Sequence, residues 1–212
     1  MKIIGLLGGV ASGKSLVAEQ FRALGAGLLD GDRAGHDVLR LTDVKQLVRE
    51  RWGQGVFADD GEVDRRALGR IVFDTSPTGR RELEYLERIT HPRITDRLRE
   101  QAAKLTTTGL MVAILDAPVM LKAGWDALCD HIVFVEAPQE TRRARALARG
   151  WRQEDIAARE SVQEPLEVKR RRADFLIDNS GSAEQTLEQV QHLWNLFTAP
   201  STDSMTRNPT TS

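Results

Sequence analysis

A glycine-rich stretch close to the amino terminus restricts what this chain can fold into more than any other feature. Residues 8–15 fit the pattern G-x-x-x-x-G-K-[ST], whose fixed positions are Gly8, Gly13, Lys14 and Ser15. The short apolar run 2–7 precedes this stretch, and residues 16–24 follow it with apolar side chains at helical spacing. A strand, a glycine loop and a helix in this order are typical of a phosphate-binding loop.

The chemistry of phosphate binding explains these residue types. Glycines let successive backbone N–H groups turn inward, which makes an anion cradle at a helix N-terminus. The Lys14 ammonium would reach the β- and γ-phosphates, and the Ser15 hydroxyl would ligate Mg²⁺. We therefore predict a nucleotide-binding loop made of Gly8, Gly9, Ala11, Ser12, Gly13, Lys14, Ser15 and Leu16. A flexible glycine turn and a signal peptide are competing interpretations, but the apolar run is short and Lys14 with an amphipathic helix follows it at once.

The composition limits the classes of protein to consider. The chain has 212 residues, enough for one domain with a substantial core, and a formal net charge of −1. That charge gives no general attraction to nucleic acid or membranes. No apolar run approaches the roughly 20 residues that a membrane helix needs. The single cysteine, Cys129, excludes an internal disulfide and fits a reducing compartment. We expect a cytoplasmic protein that binds neither nucleic acid nor membrane.

Short strand signals separated by helical stretches predict an α/β fold, with a five-stranded parallel sheet flanked by helices. The strands are predicted at 2–7, 27–30, 110–115, 131–135 and 174–178. Helical patterns cover about 35–51, 65–73, 79–104 with a break near Pro92, and 183–197. Polar or turn residues follow each strand, at the sheet edge where open α/β folds bind ligands.

We predict a single domain, 1–198, with two inserted segments and a core made of 1–32, 110–137 and 173–197. Residues 33–109 are too long for one crossover helix, and we expect a helical acceptor-binding insertion, with structural bulk as the alternative. Residues 199–212 contain almost nothing apolar and predict a disordered tail.

Residues 138–172 form the second inserted segment, which is strongly basic. Arg142, Arg145 and Arg149 share one helix face, and few carboxylates stand nearby in the sequence to pair with them. Arginine suits polyphosphate and the charge of a transition state. We predict an Arg-rich lid that closes on nucleotide phosphates, with a solvated charged face as the alternative.

Transfer of a phosphoryl group to a hydroxyl needs a carboxylate within reach of that hydroxyl. Asp32 is the candidate base, because it follows the second strand, which could lie beside the first. Asp30 is a structural candidate, and Asp116 could support Mg²⁺ waters. Acidic pairs are also common in turns, so the residues alone leave the base undecided.

Taken together, these segments resemble dephospho-coenzyme A kinase, the P-loop kinase of the last step of coenzyme A biosynthesis. The resemblance covers residues 2–190 and rests on segments in the family's order: 5–15, 29–36, 63–65, 86–94, Arg145 with Arg149, Arg159 with Gln163, 173–174 and 177–179. The phosphate loop alone is common to many ATPases and GTPases, whereas the ordered set is far more specific.

The resemblance implies a P-loop kinase fold that uses ATP and Mg²⁺ to phosphorylate the ribose 3′-hydroxyl of dephospho-coenzyme A. It implies that Asp32 is the catalytic base and that Lys14, Arg145 and Arg149 stabilise the transferring group. Nucleotide binding would add Arg145, Arg149 and Asn179 to the loop. Acceptor binding would involve Asp32, His36, Arg65, His91 and Asp116, although His91 could equally be structural.

The chain departs from the family pattern after Asp116, where the family commonly has Leu-Leu, an aromatic residue and Glu. Here the residues are Val119, Met120, Leu121 and Lys122. Lys122 reverses a charge near the expected site and could reduce activity. Gly31, which replaces a common alanine, is expected to be harmless.

Two other functions remain open. A nucleotide or nucleoside kinase would share the loop and the lid and differ in the acceptor region. A regulatory GTPase is the other, since residues 32–35 fit Asp-x-x-Gly, but no Asn-Lys-x-Asp motif occurs in the chain. We expect a monomer, with an oligomer not excluded.

Overall fold

A computed structural model describes residues 1–161 and 163–200 and contains one parallel sheet of five strands. The strands are β1 (Lys2–Gly8), β2 (Gly27–Asp30), β3 (Val112–Asp116), β4 (His131–Glu136) and β5 (Phe175–Asp178). Their order across the sheet is β2-β3-β1-β4-β5. The predicted α/β fold with a five-stranded parallel sheet is confirmed.

One expectation about strand order is wrong, because β2 is not the neighbour of β1. Strand β3 lies between them, with Leu115 beside Gly5 of β1 and also beside Leu29 of β2. Burial explains the order. The first four residues of β3 are all buried, as suits an interior strand, whereas β2 is four residues long and half-buried, as suits an edge.

Helices cover both faces of the sheet. They are α1 (Lys14–Ala23), α2 (Gly31–Val38), α3 (Thr42–Trp52), α4 (Arg65–Val72), α5 (Pro77–Thr107), α6 (Gln139–Ala148), α7 (Gln153–Ser161), α8 (Leu166–Arg172) and α9 (Ala183–Thr198). Two short 3₁₀ turns, Gln54–Val56 and Trp125–Leu128, complete the described elements.

Alternating side chains of the strands fill two cores on opposite faces of the sheet. Leu6 is buried in one core with Phe21 of α1 and Val190 of α9. Its neighbour Leu7 is buried in the other core with Leu98 of α5. The first core supports the helix that follows the phosphate loop, and the second attaches the helices of 33–109 to the sheet.

Two predicted helices differ from those observed. Residues 35–51 form two helices, and the first begins at Gly31 because the Asp30 carboxylate caps it, accepting a hydrogen bond from the Arg33 N–H at 2.9 Å. Helix α5 continues through Pro92. Its buried residues on either side of the proline, Ile89 and Ile94 among them, pack into the core, and this packing outweighs the lost hydrogen bond.

Three helices, α6 to α8, make up most of the basic segment 138–172. At the carboxyl end, α9 buries Phe197 and leaves Leu196 48% exposed. The tail predicted at 199–212 lies outside the described residues from position 201 onward. None of the described helices is both long and apolar enough to cross a membrane.

Candidate active site

A cavity of about 450 Å³ opens where β1, β2 and β3 end. The phosphate loop, the acidic residues after β2 and β3, and residues between α6 and α8 line this central cavity. Among its lining residues are Ser12, Gly13, Lys14, Ser15, Glu19, Arg22, Asp30, Asp32, Asp116, Arg149, Trp151, Arg159 and Gln163. Sequence positions more than 130 residues apart therefore share one concave site.

The phosphate loop needs its motif glycines for steric reasons. Gly13 has a φ of 100°, and a Cβ there would overlap the amide nitrogen of Asn179. A Cβ on Gly8 would lie 2.8 Å from the Val135 carbonyl oxygen. The fixed glycines of the pattern thus allow close contacts with β4 and with the residue that follows β5.

Ser12 is a buried polar residue of the loop, with 1% of its surface exposed. Its hydroxyl oxygen has no hydrogen-bond partner within the described residues, although Ser12 lines the cavity. A buried hydroxyl without a partner is costly unless a ligand satisfies it. The loop therefore has unused hydrogen-bonding capacity at a helix N-terminus, as an anion site requires.

Two residues predicted to bind nucleotide contact the loop from behind. The Asn179 side-chain amide donates to the Ser12 carbonyl at 2.7 Å, and the Thr186 hydroxyl donates to the Asn179 amide oxygen at 2.9 Å. Arg145 donates to the carbonyls of Ser12 at 3.3 Å and Asn179 at 2.9 Å. Asn179 and Arg145 are absent from the cavity lining, so they hold the shape of the loop. Their direct contact with nucleotide stays a prediction.

Most of the other predicted loop residues lie as expected. Ala11, Ser12, Gly13, Lys14 and Ser15 line the cavity. Gly8 and Gly9 stand at its rear, where Gly9 faces Arg142, and Leu16 is 38% exposed on the first turn of α1.

One lysine and three carboxylates form the electrostatic centre of the cavity. Burial lowers the pKa of Lys14, and the charge of Asp116 opposes that shift. Burial raises the pKa of Asp116, Lys14 opposes the rise, and Asp32 and Asp30 add to it. Burial, followed by the charge of Asp30, raises the pKa of Asp32, while His36 lowers it. Such an arrangement suits phosphate on the lysine and a proton acceptor nearby.

The predicted acceptor residues fall into two groups. His36 lies one helical turn after Asp32, and its Nε2 contacts the Arg65 guanidinium. His91 stands farther along the insertion, with its ring packed edge-on against Trp125 at 5.4 Å and its pKa lowered by burial. None of these three basic residues is in the central-cavity lining. Asp32 and Asp116 do line the cavity, so it brings together two of the five predicted acceptor residues.

Lys122, the departure from the family pattern, forms an ion pair. Its ammonium lies 2.5 Å from the Glu87 carboxylate of α5. The reversed charge is therefore neutralised locally and links the residues after β3 to the insertion. Both charges act on His91, Glu87 raising its pKa and Lys122 lowering it.

The basic segment supplies one wall of the cavity. Arg149 and Arg159 line it, and the Arg159 guanidinium lies 4.3 Å from the centre of the Trp151 ring. Trp151 was not predicted as a site residue; its sequence signal is an aromatic side chain directly after Gly150, between two helical patterns. The expectation that the arginine face lacks carboxylate partners is wrong for Arg142, which pairs with Glu160 at 2.8 Å.

Oxygen donors suited to Mg²⁺ are among the residues that line the cavity. The Ser15 hydroxyl and the carboxylates of Asp32 and Asp116 line the same space. Mg²⁺ in phosphate sites takes one or two protein oxygens and completes its shell with phosphates and water. No cluster of three or more ligating side chains occurs in the described ranges, so substrate oxygens would have to complete such a shell.

Comparison with known proteins gives a consistent set of matches. The family model for dephospho-CoA kinase (CoaE) matches residues 2–185. A dephospho-CoA kinase of Carboxydothermus hydrogenoformans is 39% identical over 192 residues, covering 90% of this chain and 91% of the relative. The enzyme of that name from Aquifex aeolicus is 37% identical over 199 residues, covering 93% and 98%.

Solved structures show the same likeness in three dimensions. The crystal structure of TT1252 from Thermus thermophilus has a TM-score of 0.79 and 32% identity, covering 94% of this chain and 98% of that one. The dephospho-CoA kinase of Campylobacter jejuni has a TM-score of 0.61 at 21% identity, covering 92% and 97%, and supports the fold.

Proposed function

The chain belongs to the dephospho-CoA kinase family, which phosphorylates dephospho-CoA to CoA with ATP, and from that premise we propose how its residues carry out the reaction. The γ-phosphoryl group of ATP is transferred to the ribose 3′-hydroxyl of dephospho-CoA, giving CoA and ADP. The observation that carries this proposal is that Lys14 and Asp32 line one cavity, at the end of the phosphate loop.

The loop binds the triphosphate. Its backbone N–H groups and the Ser12 hydroxyl donate to phosphate oxygens, and Lys14 pairs with the β- and γ-phosphates. Burial lowers the pKa of Lys14, so a bound polyphosphate supplies the negative charge that keeps the ammonium protonated. Glycine at positions 8 and 13 lets the loop pack closely against Val135 and Asn179 and so keep its conformation.

Asp32 accepts the proton of the acceptor hydroxyl. Its pKa is raised by burial and by Asp30, which makes its carboxylate a better proton acceptor than that of an ordinary aspartate. Asp30 caps α2 and so sets where Asp32, two residues later, stands in the first turn. Asp30 therefore acts on the base both by position and by charge.

Ser15 and Asp116 line the cavity and would hold Mg²⁺, which would neutralise phosphate charge. The lysine–carboxylate arrangement keeps Asp116 close to Lys14, and each opposes the other's shift in pKa. Asp116 thus remains available to orient metal-bound water or the acceptor.

Arg149 and Arg159 face the phosphates from the lid side. Both line the cavity and neutralise charge that spreads over the transferring group. Arg145 contributes indirectly, by holding the carbonyls of Ser12 and Asn179. Closure of the segment 138–172 excludes water, which would otherwise compete with the acceptor.

The insertion 33–109 holds the acceptor. His36 and Arg65 stand next to the base and offer donors to a ribose or phosphate oxygen. His91, half-buried against Trp125, supports the insertion from farther away. We also propose that the protein acts as a monomer in the cytoplasm.

The test is ADP release by the purified protein with ATP and Mg²⁺, measured with and without dephospho-CoA. We expect strong acceptor-dependent ADP release, with CoA as the product identified by mass. ATP binding without stimulation by dephospho-CoA would contradict the proposal, and a panel of nucleosides and nucleotides would then test the other kinase classes. A preference for GTP without any acceptor would support the GTPase alternative.

A further inference from the structure

A buried arginine lies behind the phosphate loop, on the side away from the central cavity. Arg142 of α6 is 7% exposed, yet it is absent from the residues that line the cavity. A buried guanidinium is expensive unless it is paired and hydrogen-bonded. Its contacts therefore show which interactions offset the cost of burying this guanidinium.

The contacts of Arg142 join two parts of the site. Its Nη1 donates to the Glu160 carboxylate at 2.8 Å and lies 3.5 Å from the Val10 carbonyl oxygen. A Cβ on Gly9 would lie 2.8 Å from the same Nη1, so the bare backbone of the loop packs on the guanidinium. Nε has no hydrogen-bond partner within the described residues. One side chain thus touches both the loop and α7.

A second buried cation, Lys169 of α8, makes a parallel connection. It is 2% exposed, and its ammonium donates to the Gly8 carbonyl at 3.3 Å and to the Gln163 side chain at 2.7 Å. Both cations therefore stand near loop carbonyl oxygens, at Gly8 and Val10, and both reach a side chain of the segment 138–172.

Cations at these carbonyls favour one orientation of the loop. In a trans peptide the C=O and the next N–H point in opposite directions. Positive charge near the Gly8 and Val10 carbonyls thus favours peptide planes whose N–H groups, those of Gly9 and Ala11, point away from the cations. An inverted peptide plane would bring an N–H dipole against a buried positive charge.

Glu160 has a neighbour that matters for the reaction. Arg159 precedes it on α7 and lines the central cavity, so consecutive side chains face Arg142 and the cavity. Ile156 of α7 is buried with Val10 and Ala146, which holds one face of the helix against the loop. The hydrogen bond from Arg142 to Glu160 adds a directional contact that restricts the rotation further.

We propose that Arg142 is a positioning residue that, through Glu160, sets the rotation of α7 and aims Arg159 at the transferring phosphoryl group, while its charge orients the loop. The inference rests on the proposed function, because one of its tests measures turnover of dephospho-CoA. The affinity for ATP gives a second readout that needs no acceptor.

The test compares Arg142→Gln and Glu160→Gln with Arg152→Gln. The control removes an exposed pair of the same segment, Arg152 with Asp155, for which the described residues show no hydrogen bond to the loop. Glu160 is 43% exposed, so water can solvate it when Arg142 is neutralised. If Arg142→Gln fails to fold, Glu160→Gln weakens the same contact, because its amide oxygen accepts without the carboxylate charge, and leaves the buried cation in place.

We expect Glu160→Gln to lower kcat about tenfold with little change in the Kd for ATP, because it affects the aim of Arg159. Arg142→Gln should lower kcat similarly and also weaken ATP binding about tenfold, because the loop loses its cation. The double variant should resemble Arg142→Gln, since both changes act on one contact. Arg142→Lys should restore part of the ATP affinity.

Three results would overturn the proposal: folded single variants whose kcat and ATP affinity match Arg152→Gln, effects of the two changes that add fully, or a lower Tm with unchanged kinetics. Failure of the proposed function would look different, since the unaltered protein would then lack acceptor-dependent ADP release.

Discussion

The side-chain amide of Asn179 donates to the carbonyl of Ser12 at 2.7 Å, across 167 residues of sequence. Asn179 follows the last strand, and Ser12 lies in the phosphate loop. Asn179 is 1% exposed and also accepts from Thr186, so its amide is oriented by a second hydrogen bond. The conformation of the loop therefore depends on the carboxyl-terminal part of the chain.

Replacing Asn179 by alanine should weaken both the fold and ATP binding. The Ser12 carbonyl would keep only the longer contact from Arg145, and the buried Thr186 hydroxyl would lose an acceptor. We expect a loss of about 1–3 kcal/mol in the free energy of unfolding, measured by urea denaturation, and weaker ATP binding by calorimetry. Asn195→Ala, at an exposed position of α9, is the control. An unchanged Kd for ATP would show that the hydrogen bond does not shape the loop.

Asp32→Asn should abolish most turnover while leaving ATP bound. The amide keeps the size of the side chain and removes the proton acceptor, so kcat should fall about 100-fold or more. The measurement is steady-state ADP release beside the Kd for ATP. Near-normal kcat in this variant would remove Asp32 from the role of base.

Asp30→Asn should shift the pH dependence of the reaction to lower pH. The charge of Asp30 raises the pKa of Asp32, so its removal lets Asp32 lose its proton at lower pH. Asparagine still caps α2, because its side-chain oxygen can accept from the Arg33 N–H. The acidic limb of the pH profile of kcat/KM should lie at lower pH in the variant than in the unaltered protein. A limb that stays in place or moves up would contradict the assignment.

Lys122→Glu should destabilise the protein because it places two carboxylates side by side, at positions 87 and 122, where they repel each other. We expect a loss of about 1 kcal/mol for this partly exposed pair. The pKa of His91 should rise, since Lys122 lowers it and a glutamate there would raise it. Urea unfolding and an NMR titration of His91 measure these effects. The double variant Glu87→Lys, Lys122→Glu should recover the stability; if it does not, the ion pair is not the cause.

Lys169 should make stability depend on alkaline pH. Burial lowers its pKa from 10.5 to about 8, with a smaller contribution from Lys14. Between these values the unfolded chain binds more protons than the folded one, so raising the pH favours folding at this residue. The stability of the unaltered protein relative to Lys169→Met should therefore increase from about pH 7 to about pH 10. Lys104→Met, an exposed change, should show no comparable trend.

Sequence patterns with a local cause predicted most of the fold. Strand β2 was predicted with its observed ends, and β1 and β4 each extend one residue beyond the prediction. Helix α5 shows where a local signal fails, since Pro92 disfavours a helix interior but the residues around it pack into the core. Long-range burial decided that segment.

In the candidate site, too, some residues follow from local sequence patterns and others depend on long-range packing. The motif itself places Lys14 and Ser15 at the cavity, because the loop and the following helix are continuous in sequence. The roles of the arginines required the structure: Arg149 faces the cavity, Arg145 holds loop carbonyls, and Arg142 pairs with Glu160. All three share a predicted helix face, and nothing local distinguishes them.

Local patterns are enough to predict the phosphate loop, the apolar strands and the parallel α/β class, since these follow from the steric needs of glycine and from short apolar runs. Three relationships needed the packed structure: β3 separates β1 from β2, Asn179 donates to Ser12, and Arg142 pairs with Glu160. Those relationships depend on which distant surfaces are buried together, and burial energy is a property of the packed molecule.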